Sequence, residues 1–335
     1  MVSEIRETLN VAIVGAGLMG CWHAQYALSS GANIVAVIDT NLSNANKLIK
    51  KIKQGKAYAD IDSMLLEVVP DVIHICVPVG NHLELAVRSI EAGLHVLMEK
   101  PLVITSAEAI KIHKLAENNN ILICPVHQFC FQNGVTQVVN QLQNFGKPLR
   151  IDFNITSAGA NSKSQLNEVI EDILPHPLSI LRQLWPEQSF NCHNWVVRQV
   201  NDGELVILGE YNNIILNIYI SMSARPTICQ FSIQSTVGTL HVNLFHDYLV
   251  KEFGGVSKIK KITQPIFLSF KMFSTSVINL IKRIFIRQPA YPGLQTLIEE
   301  FYFAVMGRKV IPINSTDSID VSKARDELIS MMSDK

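Results

Sequence analysis

The stretch Asn10–Leu28, "NVAIVGAGLMGCWHAQYAL", decides the fold. Val11–Val14 make a short apolar run, Gly15, Gly17 and Gly20 follow at G-x-G-x-x-G spacing, and a helical pattern begins at once. The first glycine permits a tight turn, the second lets backbone approach a pyrophosphate, and the third lets the helix pack on the strand. Around Leu18, Met19 and Gly20 the helix N-terminus then offers unpaired N–H groups and the positive end of its dipole to phosphate. The next apolar run, "NIVAVID", ends in Asp39, about 20 residues on, where a carboxylate accepts hydrogen bonds from ribose hydroxyls. Thr40–Asn46 holds no Arg or Lys to neutralise a 2′-phosphate, so NAD is expected over NADP.

Outward from this stretch the alternation continues. "DVIHICVP" (Asp71–Pro78) reads as a strand, "VGNHLELAVRSIEAG" as a helix closed by Gly93, and "LHVLM" as a strand running into "EKP". A helix from about Ser106 to Asn118 and the strand of "ILICPVHQF" come next. Strands alternating with helices imply a doubly wound parallel sheet, a Rossmann arrangement with right-handed crossovers. Ligands of such sheets sit beyond the carboxyl ends of the strands. Val77, Pro78, Glu99, Lys100 and His127 all fall at such ends, and His82 opens the helix beside them. Gly15, Gly17, Leu18, Met19, Gly20, Asp39, Val77, Pro78, His82, Glu99 and Lys100 are therefore expected around the cofactor. His127 reads either as a substrate contact or as a packed strand-end histidine, whereas His95 reads as structural.

These residues resemble the glucose–fructose oxidoreductase, inositol dehydrogenase and MocA family. The resemblance rests on "GAGLMG", on "VPVGNHLELAVRSIEAGLHVLMEKPL" and on Asp172 and His176 within "EDILPHPLSIL". It implies a lysine, here Lys100, held between nicotinamide and substrate, with a cis Lys100-Pro101 bond. It also implies a sugar or sugar-like substrate, nucleotide-linked, and a homodimer or tetramer formed through an open sheet; a lipid-linked substrate is expected only if the basic segment at 253–290 meets a membrane. The family pattern D-x-G-x-H-x-x-D is met at Asp172 and His176 and departed from at Leu174 and Ser179. Cys130 stands where the family carries an arginine, so an ordinary free sugar is not the expected substrate. Ser179 remains a candidate substrate contact by position.

Read from the residues alone, Pro175 and Pro177 bias Leu174 and His176 away from helical geometry, and Pro177 suits the first turn of a following helix. A histidine at that helix N-terminus is kept neutral by the dipole, and beside Asp172 it can serve as general base. The expected reaction moves a secondary alcohol's proton to His176, assisted by Asp172, and its hydride to nicotinamide. Lys100 stabilises the charge on the same oxygen. Two other readings compete: a dinucleotide-binding regulator without turnover, and a reductase of a non-sugar C=N or C=O group.

From about Leu149 the pattern changes to period-2 runs: "RIDFNITSAG", "NWVVRQV", "ELVILGEY", "IILNIYISMS", "CQFSIQST" and "GTLHVNLF". "YNNI" and "NDGE" supply turn residues. The expected second domain is α+β, built on an open, mostly antiparallel sheet with one face on helices and an Ile-, Val- and Phe-rich face for a partner subunit. The domains are expected at 1–125 and 126–335.

One segment departs from this scheme. No Asp or Glu lies between Phe253 and Ile298, while Lys258, Lys260, Lys261, Lys271, Lys282, Arg283 and Arg287 are basic. They interleave with "PIFLSFKMF" and "VINLIKRIFI", so residues 253–290 read either as a helix lying in a membrane interface or as an insert packed on the sheet or a partner. The chain as a whole is balanced, with 29 Lys plus Arg and 29 Asp plus Glu among 335 residues, which argues against nucleic acid. "MVSEIRETLN" has no apolar signal core, no run reaches the roughly 18 apolar residues of a spanning helix, and six scattered cysteines lack metal spacing. The expectation is a cytoplasmic enzyme without a metal, peripheral to the inner membrane face under the interfacial reading.

Overall fold

The computed structural model of the chain describes residues 8–157, 165–254, 257–285 and 290–333. Two compact units emerge, one from the chain up to His127 together with Leu294–Lys323, the other from Gln128–Gly293 with the segment from Ala324 onward.

The first unit alternates strand and helix throughout. Its elements are β1 (Asn10–Val14), α1 (Leu18–Ser29), β2 (Asn33–Ile38), α2 (Leu42–Ile52), β3 (Lys56–Tyr58) and α3 (Ile61–Leu65). β4 (Val72–Ile75), α4 (His82–Glu91), β5 (His95–Met98), α5 (Ser106–Asn118) and β6 (Ile123–Pro125) follow. All six strands pair in parallel, in the order β3-β2-β1-β4-β5-β6. Both faces are covered, so β1, β4 and β5 are nearly continuous apolar runs and not alternating ones. α5 begins where a capping box closes it: the Thr105 hydroxyl accepts from Glu108 N–H and the Glu108 carboxylate accepts from Thr105 N–H.

The second unit is built on a seven-stranded mixed sheet. It contains α6 (Asn133–Gln141), β7 (Pro148–Thr156), α7 (Leu166–Ile173), α8 (Pro175–Leu184), β8 (Val196–Asn201), β9 (Glu204–Tyr211) and β10 (Ile214–Ser221). β11 (Ile228–Ser235), β12 (Gly238–Asn243), β13 (Tyr248–Phe253) and the 28-residue α9 (Lys258–Phe285) complete it. The order is β13-β12-β11-β7-β10-β9-β8, antiparallel except for β7 with β10. Asn212 and Asn213, both at positive φ, make the β9–β10 hairpin turn anticipated from "YNNI".

Four expectations need correction. α10 (Leu294–Val305) and the start of α11 (Ser315–Ser333) belong to the first unit, because α10 buries Leu297, Ile298 and Phe301 there and packs on α1. Leu174 is helical (φ −50°, ψ −38°), so α7 runs into α8. Pro175 and Pro177 are accommodated because both fall in the first turn of α8, whose N–H groups have no intrahelical acceptor. The Ile- and Phe-rich face of the second sheet is the buried one: Ile151, Phe153, Ile218, Phe231 and Ile233 lie in the core, while Asp152, Asn154, Asn217 and Ser232 alternate on the other side. The insert does not cover its apolar stripe with its own sheet. Gln264 donates to Glu252, and Lys271 Nζ donates to the Lys251 carbonyl at 2.6 Å, so these residues face β13. Ile262, Ile266, Phe270, Phe273, Val277 and Ile284, three, four or seven residues apart, are exposed. Arg287 and the side chains of Lys258, Lys260 and Lys261 lie outside the described residues.

Candidate functional site

The turn between β1 and α1 is shaped as the glycine spacing predicts. Gly15 has φ +91°, and a Cβ there would meet the Cys76 carbonyl oxygen at 2.5 Å. A Cβ on Gly20 would fall 1.7 Å from the Gly15 carbonyl oxygen, so helix and turn touch through backbone alone. Around Gly17 nothing lies within 4 Å of the corresponding position. Gly17 is the N-cap of α1 and no side chain caps that end, while Leu18 is exposed in its first turn. Open space before an uncapped helix N-terminus fits a pyrophosphate. Asp39, at the end of β2, accepts from Ala16 N–H through Oδ2 and from Asn41 N–H through Oδ1, each at 2.8 Å. Its carboxylate is thereby fixed beside the turn, with lone pairs left for ribose hydroxyls.

The ends of β4, β5 and β6 supply the rest. Glu99 N–H donates to the Ile75 carbonyl and Val126 N–H to the Met98 carbonyl, which aligns the three strand ends. Lys100 is half-buried and Lys100-Pro101 is cis, as the resemblance implies. Lys100 N–H donates to Glu99 Oε2 at 3.2 Å. His127 is buried, and its Nδ1 has no hydrogen-bond partner among the described residues. Burial, then the Lys100 cation, bring its pKa down to about 4, with Glu99 opposing, so all three groups share one electrostatic environment. An unpartnered buried nitrogen next to a lysine is what a ligand oxygen or hydroxyl would complete.

His82 is engaged at both ring nitrogens by backbone carbonyl oxygens. Its Nε2 lies 2.8 Å from the Val77 carbonyl oxygen, and its Nδ1 lies 3.0 Å from that of Pro101 and 3.1 Å from that of Leu102. The ring ties the segment after β4 to the segment after Lys100, so Val77 and Pro78 are held relative to "EKP" by it.

In the second unit, Asp172 near the end of α7 and His176 in the first turn of α8 are four residues apart on a continuous helical path, hence on one face. The His176 ring packs on Phe129 with centroids 4.4 Å apart. Ser179 is buried and its hydroxyl donates to the His176 carbonyl at 3.0 Å, so its hydrogen is spent inside the helix. Cys130 is likewise buried.

Sequence reasoning missed a group behind Glu99. His23 of α1, His74 of β4 and Tyr302 of α10 form a buried hydrogen-bonded chain that ends on its carboxylate. The available signal was His74 itself, a polar residue inside the buried strand "VIHI", which requires a partner.

A parallel sheet in this order, with a glycine turn before an uncapped helix and an acid closing the second strand, defines a dinucleotide-binding domain. Residues 9–127 match the model of an oxidoreductase family with an NAD-binding Rossmann fold, so this part of the chain is similar to that family's cofactor domain. D-glucoside 3-dehydrogenase of Escherichia coli (strain K12) is 40% identical over 103 residues, 30% of this chain and 29% of that protein. Inositol 2-dehydrogenase of Salmonella typhimurium (strain LT2) is 23% identical over 228 residues, 64% of this chain and 68% of that protein. The chain thus spans less than a third of the first relative's length in alignment. A solved levoglucosan dehydrogenase, in complex with NADH and levoglucosan, matches with a TM-score of 0.77 at 17% identity over 98% of each chain, a likeness of fold.

Proposed function

We propose that this chain is an NAD-dependent oxidoreductase that moves a hydride between nicotinamide and a secondary alcohol or ketone of a sugar-type substrate, carried on a nucleotide or a lipid. The observation that carries this reading is the Glu99, Lys100 and His127 group beyond the carboxyl ends of β5 and β6, in the unit whose α1 N-terminus is open to phosphate. The relatives' names, a glucoside dehydrogenase and an inositol dehydrogenase, support the substrate class.

Bound NAD supplies the hydride-accepting ring. Gly15, Gly17, Leu18, Met19 and Gly20 hold the pyrophosphate by backbone, and Asp39 takes the ribose hydroxyls. Lys100 donates a hydrogen bond to the reacting oxygen and stabilises the charge it develops. His176 accepts the hydroxyl proton, with Asp172 on the same helical face to favour the imidazolium so formed. His127, neutral at physiological pH, donates to or accepts from a substrate hydroxyl. In the reverse direction the same groups return the proton.

Two partner surfaces belong to this reading. The polar side of the second sheet is where further copies of the chain join it in a homodimer or tetramer. α9 meets the anionic inner face of a membrane: its exposed Ile and Phe stripe enters the interface, and each flanking cation adds about 1 kcal/mol near such a surface. What supports the lipid reading over helix pairing between copies is charge: residues 254–297 contain no acid to offset the cations of a second α9. No described helix is long and apolar enough to cross a membrane, so this contact lies in the plane of the interface.

The test loads the protein with NADH and follows nicotinamide absorbance as aqueous and lipid extracts of the source cells are added separately. Loss of absorbance with either supports the reaction, and loss with the lipid extract alone makes α9 the docking helix of the substrate's own membrane. Silence in both, with NAD equally inert, removes the enzyme in favour of a dinucleotide-binding regulator. Co-sedimentation with phosphatidylserine-containing vesicles at low salt tests α9 separately; no association with them would remove the membrane contact.

A further inference from the structure

Behind Glu99, three contacts join four side chains from four elements. His23 Nε2 lies 3.1 Å from Glu99 Oε1, His23 Nδ1 lies 3.0 Å from His74 Nδ1, and His74 Nε2 lies 3.0 Å from the Tyr302 hydroxyl. Both histidines are fully buried, Tyr302 is 3% exposed and Glu99 7%. Every ring nitrogen has a polar neighbour, so the chain is complete from the tyrosine to the carboxylate.

Its direction follows from hydrogen counting. Burial, with His23 beside it, holds His74 well below the usual histidine range, so this ring is neutral and carries one N–H. Two nitrogens that face each other at 3.0 Å need one hydrogen between them. When His74 supplies it from Nδ1, its Nε2 accepts from the Tyr302 hydroxyl. His23 then accepts at Nδ1 and donates from Nε2 to an ionised Glu99. When His23 supplies it instead, a neutral His23 has no hydrogen on Nε2, so Glu99 must bring a proton and His74 must donate to the Tyr302 oxygen. Tyr302 keeps its own hydrogen, since burial and nearby Cys76 push its pKa up. With one hydrogen on His23 the four groups run one way or the other as a unit, and an ionised Glu99 selects the direction from tyrosine to carboxylate; an imidazolium at His23 would instead donate to Glu99 and to His74 Nδ1 together.

We propose that Tyr302, His74 and His23 are positioning residues, a one-directional hydrogen-bond relay that fixes Glu99 as an acceptor and, through its second oxygen, holds Lys100 N–H. The relay deepens the reading of Glu99 and Lys100 as part of the cofactor site and rests on it for its purpose, not for its existence. Three other titratable groups face it: Cys76, whose thiol burial and Glu99 push up, Lys100, and His127, kept neutral by burial and Lys100. None of them donates into the His23–His74 contact, so nothing else among the described residues sets its polarity.

A merely packed cluster would leave His74 indifferent to Glu99, which it does not touch; a relay couples them through His23. Nitrogen-15 NMR of histidine-labelled protein reads the tautomers, with His23→Leu and His74→Leu for assignment. The expected wild-type spectrum has His74 hydrogen on Nδ1 and His23 hydrogen on Nε2. Glu99→Gln keeps the shape but lets an amide donate, so His74 should move toward the Nε2–H tautomer in that variant. The same change in a His23→Leu background should leave His74 unmoved. The opposite tautomers in the wild type, or a His74 that ignores Glu99→Gln, would overturn the proposal. Neither spectrum needs cofactor or substrate, so failure of the proposed reaction would be seen separately, as an inert protein with an intact relay.

Discussion

The ends of β4 and β5 and the helix α9 depart from the usual rule of burial in opposite directions. The first buries a carboxylate, two imidazoles and a phenol in an apolar unit; the second leaves Phe270, Phe273 and Ile284 about two-thirds exposed along one stripe. Scattered exposed apolar residues mean little, but buried polar groups and a continuous apolar stripe both call for a partner. In the first case the partners are within the chain, each within hydrogen-bond distance of the next. In the second the described residues supply none, and Gln264 and Lys271 on the opposite side of α9 face β13.

That contrast can be broken at both ends. The largest effect belongs to Gly20→Ala, which sets a carbon where the Gly15 carbonyl oxygen already lies; a loss on the order of 4 kcal/mol is expected, read from the urea midpoint. A stability unchanged by more than experimental scatter would mean that α1 is not seated on the turn as described.

Acid should come next. His127 and His113 both have native pKa values of about 4, set by burial, against 6.5 when unfolded. Below pH 6.5 the unfolded chain binds protons that the native state refuses, so stability is full above that pH and is lost as pH falls toward 4. At pH 5 each contributes a loss of about 2 kcal/mol. His113 donates to or accepts from Ser318 across α5 and α11, and His113→Gln should remove its share of the pH dependence without touching the cofactor turn. Equal pH slopes in the two proteins would place the acid sensitivity elsewhere.

The smallest effect on stability, and the sharpest on partners, is expected in α9. Phe270→Glu with Phe273→Glu should change stability by no more than about 0.5 kcal/mol, because both rings are already in solvent. Vesicle association should vanish. A large destabilisation instead would mean that the stripe is covered in solution by another copy of the chain.

Much of this was legible beforehand, for local reasons. The glycine turn, Asp39, the strand-end "EKP" and the start of α5 at Ser106 are set by neighbours a few residues away, and each fell where the residues indicate. His23, His74 and Tyr302 were not legible: 51 residues separate the first pair and 228 the second, so only the folded sheet brings them together. Amphipathicity in "PIFLSFKMF" was plain, but which side of the helix β13 would take depends on Gln264 and Lys271 finding acceptors there. Leu174 misled because pre-proline sterics were weighed without the chance that both prolines sit in one helix's first turn.

The central claim is that Lys100 stands where hydride and proton leave the same carbon and oxygen. Its most direct test compares wild type with Lys100→Ala for deuteride transfer from 4-deuterated NADH into the product of whichever extract is active, with NADH affinity measured alongside. Loss of transfer by about 100- to 1,000-fold, at near-constant affinity, is the predicted result. Undiminished transfer in the variant would contradict the account.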